Sequence, residues 1–449
     1  MTSFFAAEAL LPEGWARDVL IEADAAGTIT SVTMGAQPGG ARRLGLVVPG
    51  LPNLHSHAFQ RAMAGRADRR SAGTDSFWTW RNAMYAVVAR MNPDSAEAVA
   101  AMLHAECLER GYTHLCEFHY LHHQPDGTPY AAREEMSLRH IAAAETSGIG
   151  LTLLPSLYRH GGIFGVEPNP GQRPFLNDLD QFMGMMGALD RHRGPRVALG
   201  VAPHSLRAVT PAMLQALDEN WQGPIHLHLA EQRREVEECV DATGMRPAEW
   251  VLEHGFAGPR WVFIHATHLD DAEVVALGQS GSIAGLCPHT EASLGDGIFR
   301  LPEWLAVGGA LGVGSDSQVS LDPAEELRQL ETSQRLALEQ RSVATSEAEP
   351  YPAGMLYRAS LSGGARAAGA PIGAIAPGLR CDLVELDTTH PDLIDLSGDA
   401  ALDAWVFGPG RGVVKTTLVA GRVLVEEGRH IAMPAIRAGY VKAMRDIWA

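Results

Sequence analysis

The sequence predicts an α/β fold, a closed (β/α)8 TIM-like barrel with a small β-sandwich domain formed by both chain ends. From about residue 46 to 370, short runs rich in Val, Ile and Leu alternate with amphipathic helical stretches, as strands and helices do around a parallel sheet. Before and after this span, short apolar segments alternate with turn residues. We therefore predict a β-sandwich domain at 1–47 and 371–430, the barrel at 48–370 and a C-terminal helix at 431–449.

Eight strand-like runs define the predicted barrel, and each one is followed by a helical stretch. Several of them are apolar throughout, as expected of strands that are buried on both faces. The predicted strands are Leu46–Leu54, Thr113–Phe118, Gly150–Pro155, Val197–Pro203, Ile225–Leu229, Trp261–Ile264, Ser282–Leu286 and Leu311–Gly314. Eight such units are the number that closes a barrel of this type.

Length, charge and cysteine content limit the partners and the compartment. With 449 residues, of which 46% are hydrophobic, the chain can fill a large core. Its net charge of -17, without any basic stripe, argues against a nucleic-acid partner and against an anionic membrane. The five cysteines are odd in number, scattered and without Cys-x-x-Cys spacing, so we expect buried thiols and no disulfides. Because no signal peptide or membrane span is indicated, we expect a cytoplasmic protein.

Side chains that can bind a metal follow four of the predicted strands. His55 and His57 are two residues apart, so both imidazoles leave one strand end on the same face. His228, His265 and Asp316 come at the ends of three later strands. A single histidine at a strand end is most often a packed core residue, but the carboxyl ends of barrel strands meet at one rim, where active sites lie. Five such residues at one rim therefore predict a metal centre.

Three histidines and one aspartate, without thiolates, favour zinc, although iron or manganese would fit the same donors. We predict one metal ion per chain, bound by His55, His57, His228 and Asp316. This set leaves room for a water molecule, whose pKa a zinc ion lowers to about 7.

Lysine positions bear on whether a second metal ion is present. In related barrels a carbamylated lysine commonly bridges two metal ions, but the only lysines here, Lys415 and Lys442, lie beyond the predicted barrel. The sequence therefore excludes a lysine-bridged pair of metals. His265 is then free to orient the attacking water by a hydrogen bond.

Two histidines share a face of the strand Ile225–Leu229, so spacing alone leaves open whether His226 or His228 binds metal. We choose His228, because it lies nearer the rim and is followed by Glu231. Glu231 is predicted to move protons beside the metal, and the alternative is a carboxylate that interacts with a helix N-terminus. His226 is predicted to pack inside the barrel.

The looser cluster of His119, His122 and His123 is interpreted as a solvated loop. Arg81 and Arg207 follow the first and fourth strands by this count. Each of them could hold a substrate carboxylate, with each charged hydrogen bond contributing about 1.5–3 kcal/mol. From the residues alone, a surface or interdomain salt bridge is an equally good interpretation of both arginines.

Eight motifs, in order along the barrel, carry a family resemblance: Pro52–Arg61, Asp75–Arg81, Glu117–Tyr120, His204–Arg207, His226–Gln232, His265–His268, Leu294–Gly297 and Gly314–Ser317. On these motifs the chain resembles the amidohydrolase superfamily and, within it, the formimidoylglutamate deiminases of histidine degradation. The metal motif specifies only the superfamily. The Trp-Thr-Trp-Arg segment that ends at Arg81 and the His-Ser-Leu-Arg segment that ends at Arg207 point to the deiminases.

The resemblance implies a zinc deiminase that converts N-formimidoyl-L-glutamate and water to N-formyl-L-glutamate and ammonia. It also implies a homodimer with a small dicarboxylate substrate. Carried over position by position, it makes His55, His57, His228 and Asp316 the ligands, and Glu231, His265 and Asp316 the groups that handle protons. It assigns the glutamate part of the substrate to Gln60, Arg81, Tyr120, His204 and Arg207, which favours carboxylate binding over the salt-bridge interpretation.

Two positions depart from the family pattern. Ser293 stands where Asn is expected, and Gln318 stands where His is expected, so the fit around the substrate is in question. Two alternative functions also stay open. A deaminase of the same superfamily that acts on an aminated ring would need aromatic stacking in place of paired arginines. A non-catalytic metal-binding scaffold would keep the ligands without turnover.

Overall fold

The computed structural model describes residues 2–67, 77–409 and 411–449. The strands, numbered in chain order, are β1 (Thr2–Leu11), β2 (Gly14–Ala23), β3 (Ile29–Thr33), β4 (Arg42–Pro49), β5 (Leu51–Ser56), β6 (Tyr112–His119), β7 (Gly150–Leu157), β8 (Val197–Leu199), β9 (Ala202–Pro203), β10 (Ile225–Leu229), β11 (Trp261–His265), β12 (Ile283–Leu286), β13 (Ala310–Val313), β14 (Leu383–Leu386), β15 (Val414–Val419), β16 (Arg422–Glu426) and β17 (Arg429–His430).

The helices, numbered in the same way, are α1 (Phe77–Val88), α2 (Pro93–Arg110), α3 (Glu135–Ser147), α4 (Leu179–Leu189), α5 (Pro211–Asn220), α6 (Arg233–Thr243), α7 (Pro247–Glu253), α8 (Asp271–Gln279), α9 (Pro288–Leu294), α10 (Leu301–Ala306), α11 (Pro323–Leu338), α12 (Pro352–Ala368), α13 (Gly398–Phe407) and α14 (Met433–Trp448). A short 3-10 helix, Ala58–Ala62, directly follows the first barrel strand.

The barrel wall consists of two parallel sheets that meet at both edges. One sheet has the order β5-β6-β7-β8, with β9 paired to β7, and the other has the order β10-β11-β12-β13. Single backbone bridges join the sheets, from Val201 to Ile225 on one side and from Ser56 to Asp316 on the other. The strands therefore follow one another around the wall in chain order, and the predicted α/β barrel is confirmed. The predicted strand Val197–Pro203 is two short strands, because Val201 turns to pair with β10 while β9 pairs with β7.

Both chain ends pair in one eight-stranded sheet with the order β17-β16-β15-β14-β4-β1-β2-β3. Cys381 closes this sheet on itself: its N–H donates to the carbonyl of Gly27 at 2.8 Å, and its carbonyl accepts from the N–H of Gly421 at 2.8 Å. The sheet thereby curls around an apolar core that includes Phe4 and Ile21. The β unit built from both ends is as predicted, although its hydrogen bonding runs through one curled sheet. The exact domain limits stay a prediction.

The last helix, α14, packs on α2 and reaches the segment that follows β5. The indole N–H of Trp448 donates to the carbonyl of Ala62 at 3.1 Å, and Ile447 is buried beside it. All five cysteines are buried and none forms a disulfide. Within the three described ranges, no helix combines the length and the apolar character that a bilayer crossing requires.

Candidate active site

Three imidazoles converge at the carboxyl ends of β5 and β10. The Nε2 atom of His55 lies 3.2 Å from that of His57 and 3.2 Å from that of His228. The Oδ1 atom of Asp316 lies 3.4 Å from the Nε2 atom of His57 and 3.6 Å from that of His55. Nitrogen ligands about 2.0–2.1 Å from a zinc ion are separated from one another by roughly 3–3.4 Å. The three histidine nitrogens therefore fit a single divalent cation, and a carboxylate oxygen of Asp316 lies close to two of them.

Backbone carbonyls hold two of these rings in the form that binds metal. The Nδ1 atom of His57 donates to the carbonyl of Phe118 at 2.8 Å, and that of His228 donates to the carbonyl of His204 at 2.9 Å. Because a carbonyl can only accept, each ring carries its proton on Nδ1 and directs the Nε2 lone pair at the cluster. Burial lowers the pKa of His57 to about 3 and holds the pKa of His228 and His55 well below the usual value. The rings are therefore neutral ligands near pH 7.

The main chain ties the end of β13 to the end of β5. The N–H of Asp316 donates to the carbonyl of His55 at 3.0 Å, and the N–H of His57 donates to the carbonyl of Asp316 at 3.2 Å. Gln318 braces the same junction, since its amide donates to the hydroxyl of Ser56 at 3.0 Å. Gln318 thus supports the ligand-bearing strands and does not line the substrate cavity.

Backbone strain is concentrated at this rim. Residues other than glycine with positive φ at the ends of the barrel strands are Ala230 (53°), His265 (72°), Ala266 (48°), Asp316 (44°) and Gln318 (68°). Such conformations cost about 1–3 kcal/mol each and persist only where the surroundings fix them. Here local hydrogen bonds do so, for example from the N–H of Ala266 to the carbonyl of Leu229 at 3.1 Å. The strain marks three strand ends as a functional site.

His265 lies among carboxylates beside the histidine cluster. Its Nε2 atom is 3.7 Å from Glu231 and 3.8 Å from Asp316, and its Nδ1 atom is 3.2 Å from Glu291. Burial alone would lower the pKa of His265, but Glu231, Glu291 and Asp316 more than offset this effect and raise it to about 10. Burial also raises the pKa of Glu231. A protonated imidazole and a carboxyl group of raised pKa therefore lie side by side at the rim, as acid–base groups of active sites do.

A cavity opens onto these groups. Its wall includes all five residues that the sequence assigns to the substrate, namely Gln60, Arg81, Tyr120, His204 and Arg207. His57, His228, Glu231, His265 and Asp316 also line it, whereas His55 is fully buried behind them. Within the wall, the side-chain amide of Gln60 donates to the hydroxyl of Tyr120 at 2.9 Å.

Arg207 lines the cavity and also forms an ion pair, but the pair is buried within the barrel and is not the surface or interdomain salt bridge that the sequence left open. Its Nη1 atom pairs with the fully buried Glu235 at 2.9 Å. Glu235 accepts hydrogen bonds from the N–H groups of Ala230 at 3.2 Å and Glu231 at 3.1 Å. This carboxylate therefore connects the substrate-facing arginine to the turn that carries Glu231. Arg81 lies on α1, 5.7 Å above the ring of Tyr85.

One sequence interpretation is wrong. His119, His122 and His123 are 2%, 1% and 5% exposed, so they do not form a solvated loop. His119 belongs to β6 itself, and its ring lies 4.5 Å from that of His140 on α3. His122 donates to the carbonyl of Ser156 on β7 and His123 donates to the carbonyl of Leu176, contacts that the spacing of the histidines could not reveal.

The structure also shows where the other residues lie that the sequence analysis discussed or missed. His226 is fully buried and bonds to the carbonyl of Ala367 at 3.0 Å, which confirms packing inside the barrel. Ser293 is exposed on α9 and does not line the cavity. Asp75 and the serine after it, from the resemblance motif, lie outside the described residues. Sequence reasoning missed Glu291 and Asp296, although Asp296 lies inside a quoted motif between two glycines.

The parallel barrel, with a histidine–aspartate cluster and buried acid–base groups at its rim, has the architecture of hydrolases that work around a metal centre. A model of the amidohydrolase family matches residues 46–424, and a model described as formimidoylglutamate deiminase HutF, N-terminal domain, matches residues 1–45. The chain belongs to the amidohydrolase family and, within it, to the formimidoylglutamate deiminases.

Individual relatives agree with this assignment. The chain is 47% identical to a formimidoylglutamate deiminase of Pseudomonas aeruginosa, over 100% of both chains. Among solved structures, an amidohydrolase from Brucella melitensis is 45% identical over 100% of both chains, with a TM-score of 0.95. An adenosine deaminase from Xanthomonas campestris with bound zinc shares the fold, with a TM-score of 0.82 at 21% identity over 100% of this chain and 98% of that one.

Proposed function

We propose that this chain is a deiminase that hydrolyses N-formimidoyl-L-glutamate to N-formyl-L-glutamate and ammonia, a step of histidine degradation. The observation that carries the proposal is one cavity whose wall includes three members of the histidine–aspartate cluster, the Glu231–His265 pair and two arginines. The reaction needs an attacking water, a proton for the leaving nitrogen and cations for two carboxylates. The cavity offers side chains for each of these tasks.

The ligand set of this proposal is His55, His57, His228 and Asp316. Its support is the convergence of three Nε2 atoms at 3.2 Å together with carbonyl partners that fix the tautomers of two rings. A divalent metal held by these residues would lower the pKa of water to about 7 and so supply hydroxide near neutral pH.

Glu231 and His265 are proposed to manage the protons. Their side chains are 3.7 Å apart and both line the cavity. Glu231 takes a proton from the attacking water and delivers it to the nitrogen that leaves as ammonia. His265 stays protonated among its carboxylate neighbours and donates a hydrogen bond to the attacking water, while Asp316 accepts one from it, so that the two side chains orient the water for attack.

The glutamate part of the substrate is proposed to bind Arg81 and Arg207, with Gln60, Tyr120 and His204 completing the contacts. Local cations are necessary, because a protein with a net charge of -17 repels a dicarboxylate at long range. Arg207 is already oriented by Glu235, so its guanidinium loses little freedom on binding.

Ammonia release from N-formimidoyl-L-glutamate tests the proposal, with metal content measured on the same sample. We expect turnover that thorough chelation abolishes and that a divalent metal restores. Glu231→Gln should keep the metal and lose activity by roughly 10²–10⁴-fold, because only the proton transfer is removed. Asp271→Asn, on an exposed side chain of α8, is the control and should behave as the native enzyme. Chelated enzyme that keeps full activity would refute the proposal.

The same assay separates the two alternatives. A deaminase of aminated rings would turn over adenine-type or cytosine-type substrates faster than the linear amidine. A non-catalytic scaffold would bind metal and release no ammonia from any of them.

Three finer points belong to the same proposal: the metal is zinc, the chain forms a homodimer, and the protein is cytoplasmic. The donor chemistry supports zinc, and iron and manganese are the competing ions. Elemental analysis of the natively purified protein, sedimentation at several concentrations and cell fractionation test these points in turn.

A further inference from the structure

One buried carboxylate beside the acid–base pair has no part in the proposed reaction. Asp296 is 5% exposed, and its Oδ2 atom has no hydrogen-bond partner. Its other oxygen accepts a hydrogen bond from the side-chain amide of Gln232, the residue next to Glu231. A ligand atom of Asp296 lies within 4.8 Å of those of Glu231 and His265. An unpartnered carboxylate oxygen in such a place needs a cation or a donor to offset its desolvation.

The surrounding loop is shaped to hold Asp296 there. Gly295 and Gly297 flank it with φ of 72° and 144°, conformations that favour glycine. A Cβ atom at Gly297 would lie 3.0 Å from the Cγ2 atom of Thr267, so the loop also needs glycine to pack against the end of β11. The N–H of Asp296 donates to the carbonyl of Glu291 at 3.0 Å, which completes a rigid turn after α9.

Negative charge is in excess around this turn. Glu231, Glu291, Asp296 and Asp316 surround the single imidazole of His265. Burial, followed by the charge of Glu231, raises the pKa of Asp296 to about 9. A cation bound beside Asp296 would favour its ionised form.

The proposed substrate brings such a cation. A linear amidine is a strong base, so the formimidoyl group is a planar amidinium with several N–H donors at neutral pH. Carboxylates bind planar cations of this kind through paired, charge-assisted hydrogen bonds. A neutral amide, or the amino group of an aromatic ring, lacks the charge and would leave Asp296 uncompensated.

We propose that Asp296, together with Glu231, forms a cation-binding subsite that holds the formimidoyl group of the substrate as its amidinium. This inference rests on the proposed function and deepens it, because it explains selection of linear amidinium substrates over neutral amides and aminated rings. The arginines bind the anionic part of the substrate and the Glu231–Asp296 subsite binds the cationic part. Glu231 lines the cavity together with the arginines, and a carboxylate oxygen of Asp296 lies within 4.8 Å of Glu231 and adds its negative charge there.

The test uses fragments that probe each part separately in the metal-loaded enzyme, by calorimetry and without turnover. Acetamidinium probes the subsite, acetamide is its neutral counterpart, and glutarate probes the arginines. The native enzyme should bind acetamidinium at least tenfold more tightly than acetamide. Asp296→Asn should remove this preference and leave the glutarate affinity within about twofold. Asp271→Asn should change neither affinity.

Gln232→Leu gives an independent check should Asp296→Asn fold poorly. It keeps the carboxylate but removes the donor that orients it, so the acetamidinium preference should fall by a smaller factor. An unchanged preference in Asp296→Asn that is folded and binds glutarate normally would overturn the inference. Absence of ammonia release by the native enzyme would instead refute the proposed function, since fragment binding does not depend on turnover.

A second divalent ion is the competing occupant, because Glu231, His265 and Asp296 also have donors in range of one another. Metal counts per chain, measured in excess zinc, distinguish the two occupants. One ion per chain in both the native enzyme and Asp296→Asn supports the amidinium subsite. Two ions in the native enzyme and one in the variant would overturn it in favour of a metal site.

Discussion

At the scale of single residues, Arg207 has two roles that can be separated. It faces the cavity, and it neutralises the fully buried Glu235 at 2.9 Å. Arg207→Met should raise KM roughly tenfold to a hundredfold, since charged hydrogen bonds to a substrate carboxylate contribute about 1.5–3 kcal/mol each. It should also lower the free energy of unfolding by about 3–5 kcal/mol, because Glu235 is left buried without its partner. Substrate kinetics and the thermal midpoint measure the two effects.

A second substitution distinguishes these roles. Combining Arg207→Met with Glu235→Gln removes both charges, so we expect most of the lost stability to return while KM stays high. Arg81→Gln, on the partly exposed start of α1, is the comparison that should affect KM with little change in stability. A double variant that is no more stable than Arg207→Met would show that the ion pair does not matter in solution.

Local sequence patterns were sufficient to locate the site residues on barrel strands, but they were insufficient for residues elsewhere. His55 and His57 could be paired because a strand repeats every two residues and barrel strands end at one rim. The same repeat places Glu117 and His119 on the outer face of β6, but whether that face is wet depends on how the flanking helices pack against it. The sequence did not identify Asp296 as a site residue for a related reason. Its flanking glycines indicate a turn, but they do not say which way the carboxylate points.

At the scale of elements, the contact between β13 and β5 controls the metal site. A Cβ atom at Gly314 would lie 2.5 Å from the amide nitrogen of His55, which is backbone and cannot move aside cheaply. Gly314→Ala should therefore separate the two strands and pull Asp316 away from the histidines. We expect metal affinity to fall roughly tenfold or more, as it does when groups that orient ligands are lost. Competition with a chromophoric chelator measures this affinity.

Gly187 on α4 provides a matched control for Gly314. A Cβ atom there meets nothing within 4 Å, so Gly187→Ala should leave metal affinity unchanged and add up to about 1 kcal/mol of helix stability. Equal metal affinity in the two alanine variants would contradict the role assigned to the β13–β5 contact.

Buried histidines in the layer between β6 and the helices α2 and α3 predict that the protein loses stability in acid. Burial lowers the pKa of His122 and His140 to about 3 and that of His104 to about 4. Between pH 6.5 and these values the unfolded chain binds protons that the folded chain does not, so stability falls as the pH falls. Each such histidine contributes up to about 1.4 kcal/mol per pH unit. The protein should therefore lose stability steeply from about pH 6 to pH 4.

Substitution of one member of this layer tests the origin of the acid sensitivity. His140→Gln removes one titrating group, so the difference in thermal midpoint between pH 7 and pH 5 should become smaller than in the native protein. His192→Gln, outside the layer, should leave that difference unchanged. Both proteins are compared in the metal-loaded state, so that protonation of the metal ligands affects them equally. An unaltered pH dependence in His140→Gln would place the acid-sensitive groups elsewhere.

At the scale of the whole molecule, the net charge of -17 acts on a substrate that is itself anionic. N-formimidoyl-L-glutamate carries two carboxylates and one amidinium, so its net charge is negative and long-range repulsion slows the encounter. The arginines of the cavity act only at short range. The Debye length shrinks from about 30 Å at 0.01 M salt to about 8 Å at 0.15 M, which screens the distant charges more than the near ones.

The value of kcat/KM should therefore rise with salt, roughly twofold to threefold between 0.01 and 0.15 M, before it levels off. The rise should appear in kcat/KM and not in kcat, since repulsion affects the encounter and not the bound complex. The measurement is made with potassium chloride and with a second neutral salt that has a larger anion. Screening is the same for both salts, whereas specific anion binding at Arg81 and Arg207 differs between them. A steady fall of kcat/KM with either salt would mean that the arginines, and not the overall charge, govern how the substrate arrives.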